Sequence, residues 1–394
     1  MKRIGALLLV CMALMLAATV AACGNKPNTS GGGGETTLEP IKIGAIFSAS
    51  GPASTLGKPE MDTIKMLVDQ WNQNGGIDGR KIELYAYDDK SDQNEAVLNM
   101  KKVLEQDKVS IVIGGTTSGN SLAMIPLAEK GKVPFFAVAA SKDINIPVKK
   151  YVFKMAQGDD IVAPRVVDYL KKNNLTNIAF LSVDNSFGSS GKQEFDKAAR
   201  EAGIRTVIAD VFEATVNDAK PMLTRVKKEN PQAIVVWGTT QESAVVTKNI
   251  RELGIQVPII ESHGIANTQF IDLAGDAANG VIFPAGRLLI SDQLPDSDPQ
   301  KKVLEDYKKQ FKDKFGYEAS TFGGHVWDAF HIIVEAVKKA GTDPEKLRDA
   351  IETNTKQFVG ISGTFTLSAD DHNGLKADAL SMIQIQDKKW KKID

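Results

Sequence analysis

The sequence predicts an α/β protein with two Rossmann-like lobes, each built on a parallel sheet, joined by a hinge that the chain crosses several times. Three observations predict this fold. Strand and helix patterns alternate with short connections from residue 41 to residue 138, which is typical of a parallel sheet with helices on both faces. The same alternation restarts at residue 161 and runs to residue 283. Residues 299–354 then hold helical patterns with almost no strand between them, too few for an independent domain.

Each element is predicted from its apolar pattern, since short β-branched runs favour strands and apolar residues at helical spacing favour helices. In the first lobe, strands are predicted at residues 41–47, 81–87, 109–113 and 134–138, and helices at residues 55–74, 93–106 and 122–130. In the second lobe, strands are predicted at residues 177–183, 205–212, 233–237, 258–261 and 281–283, and helices at residues 161–172, 187–202, 219–229, 242–253 and 268–274. In the tail, helices are predicted at residues 299–315, 321–340 and 344–354, and strands at residues 363–367 and 379–386.

The helical tail is expected to pack on one lobe and the last two strands to join the other. The first lobe is therefore predicted to comprise residues 41–157 plus 286–360, and the second lobe residues 158–285 plus 361–394. The chain then passes between the lobes several times, and such passes act as a hinge.

The N-terminus has the pattern of an exported lipoprotein. Lys2 and Arg3 precede an apolar stretch that is shorter than a membrane span needs, and Val20-Ala21-Ala22-Cys23 resembles a bacterial lipobox. Residues 1–22 are therefore predicted to be a lipoprotein signal peptide, and residues 23–40 to be the lipidated Cys23 and a flexible tether. The alternative is a plain signal peptide that happens to contain a cysteine.

The charge balance, the cysteines and the apolar runs of the chain limit its possible partners. The chain has 48 Lys+Arg against 49 Asp+Glu and no basic stripe, which argues against a nucleic-acid partner. Cys11 lies in the part predicted to be removed, so the mature chain would keep only Cys23 and have no disulfide. No later stretch is apolar for the 18 residues of a span, so contact with the membrane is expected only through the lipid.

The stretch from residue 109 to residue 121, V-S-I-V-I-G-G-T-T-S-G-N-S, predicts an anion site. A buried strand ends at two glycines, three hydroxyl residues follow (Thr116, Thr117 and Ser118), and a helix then begins. The first N–H groups of a helix lack intrahelical partners, and the helix dipole favours negative charge there. Ligands of open α/β sheets bind outside the carboxyl ends of the strands. The alternative is a turn followed by an N-cap with no ligand.

Several motifs together resemble the leucine/isoleucine/valine-binding proteins, which are type I periplasmic binding proteins of ABC importers. The similarity runs from about residue 41 to residue 389. The motifs that carry it are I-K-I-G-A-I-F-S-A-S-G-P at 41–52, N-G-G-I-D-G-R-K-I-E-L at 74–84, Y-D-D at 87–89, V-I-G-G-T-T-S at 112–118, D-N-S-F-G at 184–188 and A-G-D-A-A-N-G-V at 274–281.

The resemblance implies a monomeric two-lobed clamp that closes on one small solute and binds it without cofactor, metal or catalysis. Ser118 resembles the serine that holds the ligand carboxylate, with Thr116 and Thr117 in the same loop. The other positions implied to line the site are Ala139, Ala140 and Ser141 in a second first-lobe loop, Leu56, and Phe187, Thr240 and His263 in the second lobe.

The sequence departs from the family's pattern at His263. The resemblance implies an acidic residue there, which would pair with the ammonium of an amino acid. A protonated histidine cannot do so, and a neutral one offers a single acceptor. The ligand is therefore predicted to be a branched-chain amino acid, or a related aromatic or branched carboxylic acid without an amine. Glu261 is the alternative acid, because residues two apart in a strand face the same way, and His263 could also be a turn residue without a ligand role.

Other polar residues are predicted to be structural. Asp88, Asp89 and Asp92 lack the spacing of a calcium loop and are expected to cap the helix that begins at residue 93. His325 and His331 are six apart, which does not place two ligands on one helix face. Arg287, near the expected lobe crossing, could reach an anion but is more simply a surface residue.

The sequence therefore predicts a lipid-anchored solute receptor that serves the permease of an ABC importer. One alternative is a sensor subunit that presents its ligand to a membrane receptor. Another is a secreted α/β enzyme, although the sequence has no G-x-S-x-G, H-E-x-x-H or P-loop motif.

Overall fold

The first sheet has five parallel strands in the order β2–β1–β3–β4–β5 in the computed structural model, which describes residues 38–394. The strands are β1 (Ile41–Phe47), β2 (Ile82–Asp88), β3 (Ile111–Gly114), β4 (Phe135–Ala137) and β5 (Val152–Lys154). The helices between them are α1 (Ser54–Gln73), α2 (Gln93–Lys102) and α3 (Ser118–Gly131). Every residue of β3 and β4 is buried, as expected for strands covered by helices on both faces.

The second sheet has seven strands in the order β14–β13–β10–β9–β8–β6–β7. Its strands are β6 (Asn177–Val183), β7 (Arg205–Phe212), β8 (Ala233–Trp237), β9 (Ile259–Glu261), β10 (Ile282–Ala285), β13 (Ser381–Gln386) and β14 (Lys389–Lys392). Its helices are α4 (Asp159–Lys172), α5 (Ser186–Ala202), α6 (Lys220–Lys228), α7 (Thr240–Glu252) and α8 (Thr268–Ala274). β6 to β10 pair in parallel, whereas β13 and β14 pair antiparallel at one edge.

The tail helices pack on the first lobe. They are α9 (Lys301–Phe315), α10 (Thr321–Ala340) and α11 (Pro344–Asn354). α10 lies along α1, where the rings of Trp71 and Phe330 meet edge to face with centroids 6.2 Å apart. Gly323 permits a close approach to α9, because a Cβ there would lie 2.3 Å from the Tyr307 hydroxyl oxygen.

Two parts of the strand prediction are wrong. The predicted strand at residues 363–367 contains only β12 (Thr364–Phe365), which pairs with β11 (Phe358–Val359) as a separate hairpin and does not join the second sheet. β5 and β14 were not predicted. β5 is a run of three residues, and the K-W-K-K sequence of β14 carries the charges typical of an edge strand.

Segments that connect the two sheets lie side by side. The Gln157 side chain donates to the Ser362 carbonyl at 2.7 Å, and the Asn373 amide donates to the carbonyls of Lys154 and Ala156 at 2.9 and 3.0 Å. These bonds tie the segment after β5 to the segment after β12, at the place expected for a hinge. The lobe boundaries themselves stay a prediction, and the signal peptide and Cys23 lie outside the described residues.

Candidate ligand-binding cleft

The loop between β3 and α3 is shaped by its two glycines. Gly114 and Gly115 have φ angles of +158° and +71°. A Cβ at Gly114 would lie 2.2 Å from the Ile46 carbonyl oxygen, and one at Gly115 would lie 2.3 Å from Ser121 Oγ. Only glycine fits both positions, so the chain turns sharply and α3 begins at Ser118, four residues earlier than predicted.

The three hydroxyl residues of this loop differ in whether their O–H donor is free. Thr117 caps α3 by accepting from Asn120 N at 3.2 Å, and Ser118 Oγ accepts from Ser141 N at 3.2 Å. Both therefore keep a free O–H. Thr116 Oγ1 accepts from Ser48 N at 2.9 Å and also shares a hydrogen bond with Glu60, so its own donor is already engaged when Glu60 accepts it.

A cavity of about 220 Å³ lies between the two lobes at this loop. Ligand pockets for drug-sized molecules usually measure about 300–1,000 Å³, so this one suits a small solute. Eight of the predicted site residues line it: Leu56, Thr116, Thr117, Ser118, Ala139, Ala140, Phe187 and His263. Their contact with a ligand stays a prediction.

Two predicted site residues do not line the cavity. Ser141 is fully buried and supports the loop by donating its N–H to Ser118 Oγ. Thr240 is also fully buried, and its hydroxyl accepts from the Asn267 amide at 2.7 Å and lies 3.4 Å from the Gly264 carbonyl oxygen. Both residues hold the loops of the cleft in place.

His263 faces the cavity as a neutral ring. It is 7% exposed and lies edge to face with Phe187, with ring centroids 5.6 Å apart. Burial, and then the charge of Lys154, lowers the pKa of His263 to about 4. Its Nδ1 has no hydrogen-bond partner within residues 38–394. The position therefore offers the ligand no negative charge.

Glu261 does not replace the missing acid. It is fully buried outside the cavity lining, and Thr247 Oγ1 donates to its Oε1 at 2.8 Å. Burial raises its pKa to about 8, which favours the uncharged acid at neutral pH. The alternative that Glu261 binds the ligand is therefore wrong for this geometry.

Several cavity residues were missed in the sequence, and Glu242 is the acid among them. Glu242 caps α7, its Oε1 accepting from Thr239 N at 2.6 Å and from Thr239 Oγ1 at 2.8 Å, and burial raises its pKa. The T-x-x-E capping box at Thr239 and Glu242 was a sequence signal for a helix start at the cleft. Phe322, from α10, also lines the cavity.

His325 was predicted to be purely structural, and that prediction is incomplete. Its Nδ1 lies 2.7 Å from Ser362 Oγ, which is a structural contact, but the ring also lines the cavity. Burial, and then the nearby His263, lowers its pKa to about 3. The cavity thus contains two neutral imidazoles.

The remaining polar predictions concern residues away from the cavity. Asp92 caps α2 by accepting from Asn94 N and Glu95 N at 2.8 and 2.9 Å, as predicted. His331 stacks on Trp327 with ring centroids 3.7 Å apart. Arg287 pairs with Asp298 at 2.7 Å and takes no part in the cavity. No helix in the described part of the chain is both long enough and apolar enough to cross a membrane.

Comparisons with known proteins agree with this architecture. The profile of a family described as periplasmic binding protein matches residues 40–389. A leucine-, isoleucine-, valine-, threonine- and alanine-binding protein of Pseudomonas aeruginosa is 25% identical over 339 residues, which cover 85% of this chain and 87% of that protein.

Solved structures show the same two-lobed fold. An extracellular ligand-binding receptor from Rhodopseudomonas palustris HaA2 superposes with a TM-score of 0.85 at 26% identity, over 90% of this chain and 99% of that one. The branched-chain amino acid transporter substrate binding protein LivJ from Streptococcus pneumoniae, solved with isoleucine, superposes with a TM-score of 0.79 at 26% identity over the same shares. The predicted α/β fold with two lobes is confirmed.

Proposed function

Since this chain belongs to the periplasmic binding protein family, we propose that it is the extracytoplasmic receptor of an ABC importer and clamps one small carboxylate between its lobes. The family binds solutes and does not catalyse reactions, so the chain is a binding protein and not an enzyme. Its mechanism is a shift of an open–closed equilibrium, because the ligand contacts both lobes only when they are closed.

The hydroxyl loop at the start of α3 is the observation that carries the carboxylate assignment. Thr117 and Ser118 present free O–H donors beside the N-terminus of α3, where Thr117 already accepts the N–H of Asn120. Both residues line the cavity between the lobes. Hydroxyls and a helix N-terminus together suit a carboxylate better than any neutral group.

The proposed ligand is a branched or aromatic carboxylic acid without an amine. Relatives named for leucine, isoleucine and valine, and the LivJ structure with isoleucine, support a branched skeleton. Neutral His263 supports the absence of an ammonium, because a buried cation without an acidic partner is costly. Glu242 is the acid of the second lobe that could reverse this preference, since it lines the cavity.

Lipid anchoring is proposed from the sequence alone. The lipobox-like residues 20–23 and the tether predict a receptor attached at Cys23 to the outer face of the cytoplasmic membrane. Mass spectrometry of the membrane fraction would find a diacylglyceryl group on Cys23 and no residue before it.

An ion pair between the lobes is expected to stabilise the closed clamp. Lys142, just after the Ala139–Ala140 loop, pairs with Glu194 of α5 at 2.5 Å, and its N–H donates to Ser190 Oγ at 3.1 Å. Lys142→Ala should weaken ligand binding by about 1 kcal/mol, or roughly fivefold in Kd, if separation of the lobes breaks this partly buried pair.

Titration calorimetry of single and double variants measures this contribution. Glu194→Ala should have the same effect as Lys142→Ala, and the double variant should lose no more than either one. Lys192→Ala is the matched control, because Lys192 pairs with Asp196 inside the same helix. An equal loss of affinity in Lys192→Ala would argue against a cross-lobe role.

A thermal-shift screen of the mature body tests the proposed function. One panel contains leucine, isoleucine, valine and phenylalanine, and the other contains the same skeletons without the amine, together with benzoate. A ligand that binds only the folded protein raises the melting temperature by mass action. We expect shifts from the amine-free acids, and at least about a tenfold loss of affinity in Ser118→Ala, which removes one charge-assisted hydrogen bond.

The other outcomes of the screen are equally informative. Melting-temperature shifts from the amino acids alone would indicate that the ammonium of the ligand pairs with Glu242. No shift from either panel, or a Ser118→Ala variant with unchanged affinity, would refute the carboxylate assignment.

A further inference from the structure

Two buried carboxyl groups, those of Glu60 and Asp89, lie next to the hydroxyl loop of Thr116, Thr117 and Ser118. Glu60 of α1 is fully buried, and its Oε2 shares a hydrogen bond with Oγ1 of Thr116, a residue that lines the cavity. Ser48 joins the set, since its N–H donates to Thr116 Oγ1 at 2.9 Å and its hydroxyl donates to Asp89 Oδ1 at 2.6 Å. Glu60 Oε1 has no hydrogen-bond partner among the described residues. Ionised carboxyl groups at this place would repel an anionic ligand, so the charge of Glu60 matters for binding.

No cation within the described residues pairs with Glu60 to balance a negative charge. Within residues 38–394, neither Glu60 nor Asp89 forms a salt bridge. The titratable groups that face Glu60 are Asp89, from the loop after β2, and Tyr307, from α9. Burial raises the pKa of Glu60 well above its usual value, the bond to Thr116 opposes this, and the charge of Asp89 adds to it. Burial without a neighbouring cation therefore favours the uncharged form of Glu60.

The charge of Glu60 decides where the Thr116 proton points. A threonine hydroxyl has one donor and two acceptor positions, and Ser48 N already occupies one acceptor. If Glu60 is ionised, it can only accept, and it takes the Thr116 proton. If Glu60 is protonated, it can donate to the second acceptor position, and the Thr116 O–H is then free to turn toward the cavity.

We propose that Glu60 is a positioning residue of the ligand site, which in its protonated form directs the Thr116 O–H at the carboxylate of the ligand. The proposal rests on the proposed carboxylate site and adds a third hydroxyl donor to Thr117 and Ser118. It follows that loss of the Glu60 proton removes one donor from the ligand and places a negative charge behind it. Carboxylate affinity should therefore fall as Glu60 ionises.

Calorimetric titrations with benzoate and with leucine, between about pH 5.5 and 8.5, test this role, because both ligands keep their carboxylate ionised over that range. In the wild type, the affinity should fall with rising pH, by up to about tenfold per pH unit once Glu60 ionises. Glu60→Gln should abolish this pH dependence, since the glutamine amide can donate to Thr116 Oγ1 at every pH. Thr116→Val should also abolish it and weaken binding at low pH by about tenfold.

Two further variants separate positioning from folding. Thr116→Ser retains the hydroxyl and should retain the pH dependence, and Glu83→Gln, which removes an exposed carboxylate from β2, should not alter it. Melting temperatures recorded for each variant show that it is folded. A flat wild-type profile, or a profile that Glu60→Gln leaves unchanged, would overturn the role of Glu60. Absence of binding by both ligands at every pH would refute the carboxylate site, and this proposal with it.

Discussion

Replacing His263 with glutamate is expected to shift the ligand preference of the cleft from amine-free acids to amino acids. A carboxylate at this position would accept charge-assisted hydrogen bonds from an ammonium, each of which contributes about 1.5–3 kcal/mol. The ratio of affinities for leucine and for 4-methylpentanoate, its skeleton without the amine, should therefore rise by about 10- to 150-fold. Lys154, whose charge already lowers the pKa of His263, would favour the ionised form of the new glutamate.

His263→Gln is the control for this specificity change. Glutamine has the shape of glutamate without its charge, so it should leave the preference for 4-methylpentanoate over leucine in place. Calorimetry with both ligands on the wild type and the two variants gives the ratio directly. A ratio that responds equally to glutamate and glutamine would show that shape, and not charge, determines the preference at this position.

The elements that could be predicted from the sequence are those with a strong local signal. β1, β6, β7 and β8 have the predicted bounds, because each is a run of apolar or alternating residues that ends at a turn. The glycine turn and helix cap of the hydroxyl loop were also visible, since two glycines, a hydroxyl cap and a helix follow each other within ten residues. Membership of the periplasmic binding protein family followed from motifs of the same local kind and is confirmed.

Parts of the site could not be predicted because they depend on contacts distant in sequence. The hydrogen bond between Thr116 and Glu60 joins residues 56 positions apart, and the sequence around neither residue indicates it. His325 reaches the cavity from a tail helix, α10, whose packing on α1 places it there. Glu261 looked suitable by strand alternation, but β9 ends at that residue and its side chain bonds to Thr247 on α7.

The stability of the protein is expected to fall as the pH rises from about 6.5 to 8, because buried carboxyl groups keep their protons in the folded state. Burial raises the pKa of Asp159 and of Asp328 to about 7 and that of Glu261 to about 8. The unfolded chain releases these protons near pH 4. The folded state therefore binds more protons across this range, and the free energy of unfolding decreases as pH rises through the folded pKa values.

Three buried histidines have the opposite effect, but only at lower pH. Burial lowers the pKa of His263 and His331 to about 4 and that of His325 to about 3. Below about pH 6.5 these histidines are protonated in the unfolded chain but stay neutral in the folded protein. The free energy of unfolding that they contribute therefore increases as pH rises toward 6.5. The histidines and carboxyls oppose each other below this pH, and the carboxyls act alone above it. Stability is therefore expected to change little just below pH 6.5 and to fall above it.

Thermal melts of the ligand-free protein between pH 5 and 9 measure this profile, and Glu261→Gln identifies its main source. Between about pH 6.5 and 8 the wild type should lose roughly 2–4 kcal/mol of unfolding free energy. Glu261→Gln should flatten much of that slope, because glutamine can still accept from Thr247 Oγ1 and has no proton to lose. The exposed substitution Glu335→Gln removes a surface carboxylate and should leave the slope as it is in the wild type. A melting temperature that stays level or rises over this range would show that the buried carboxyls are already ionised in the folded protein.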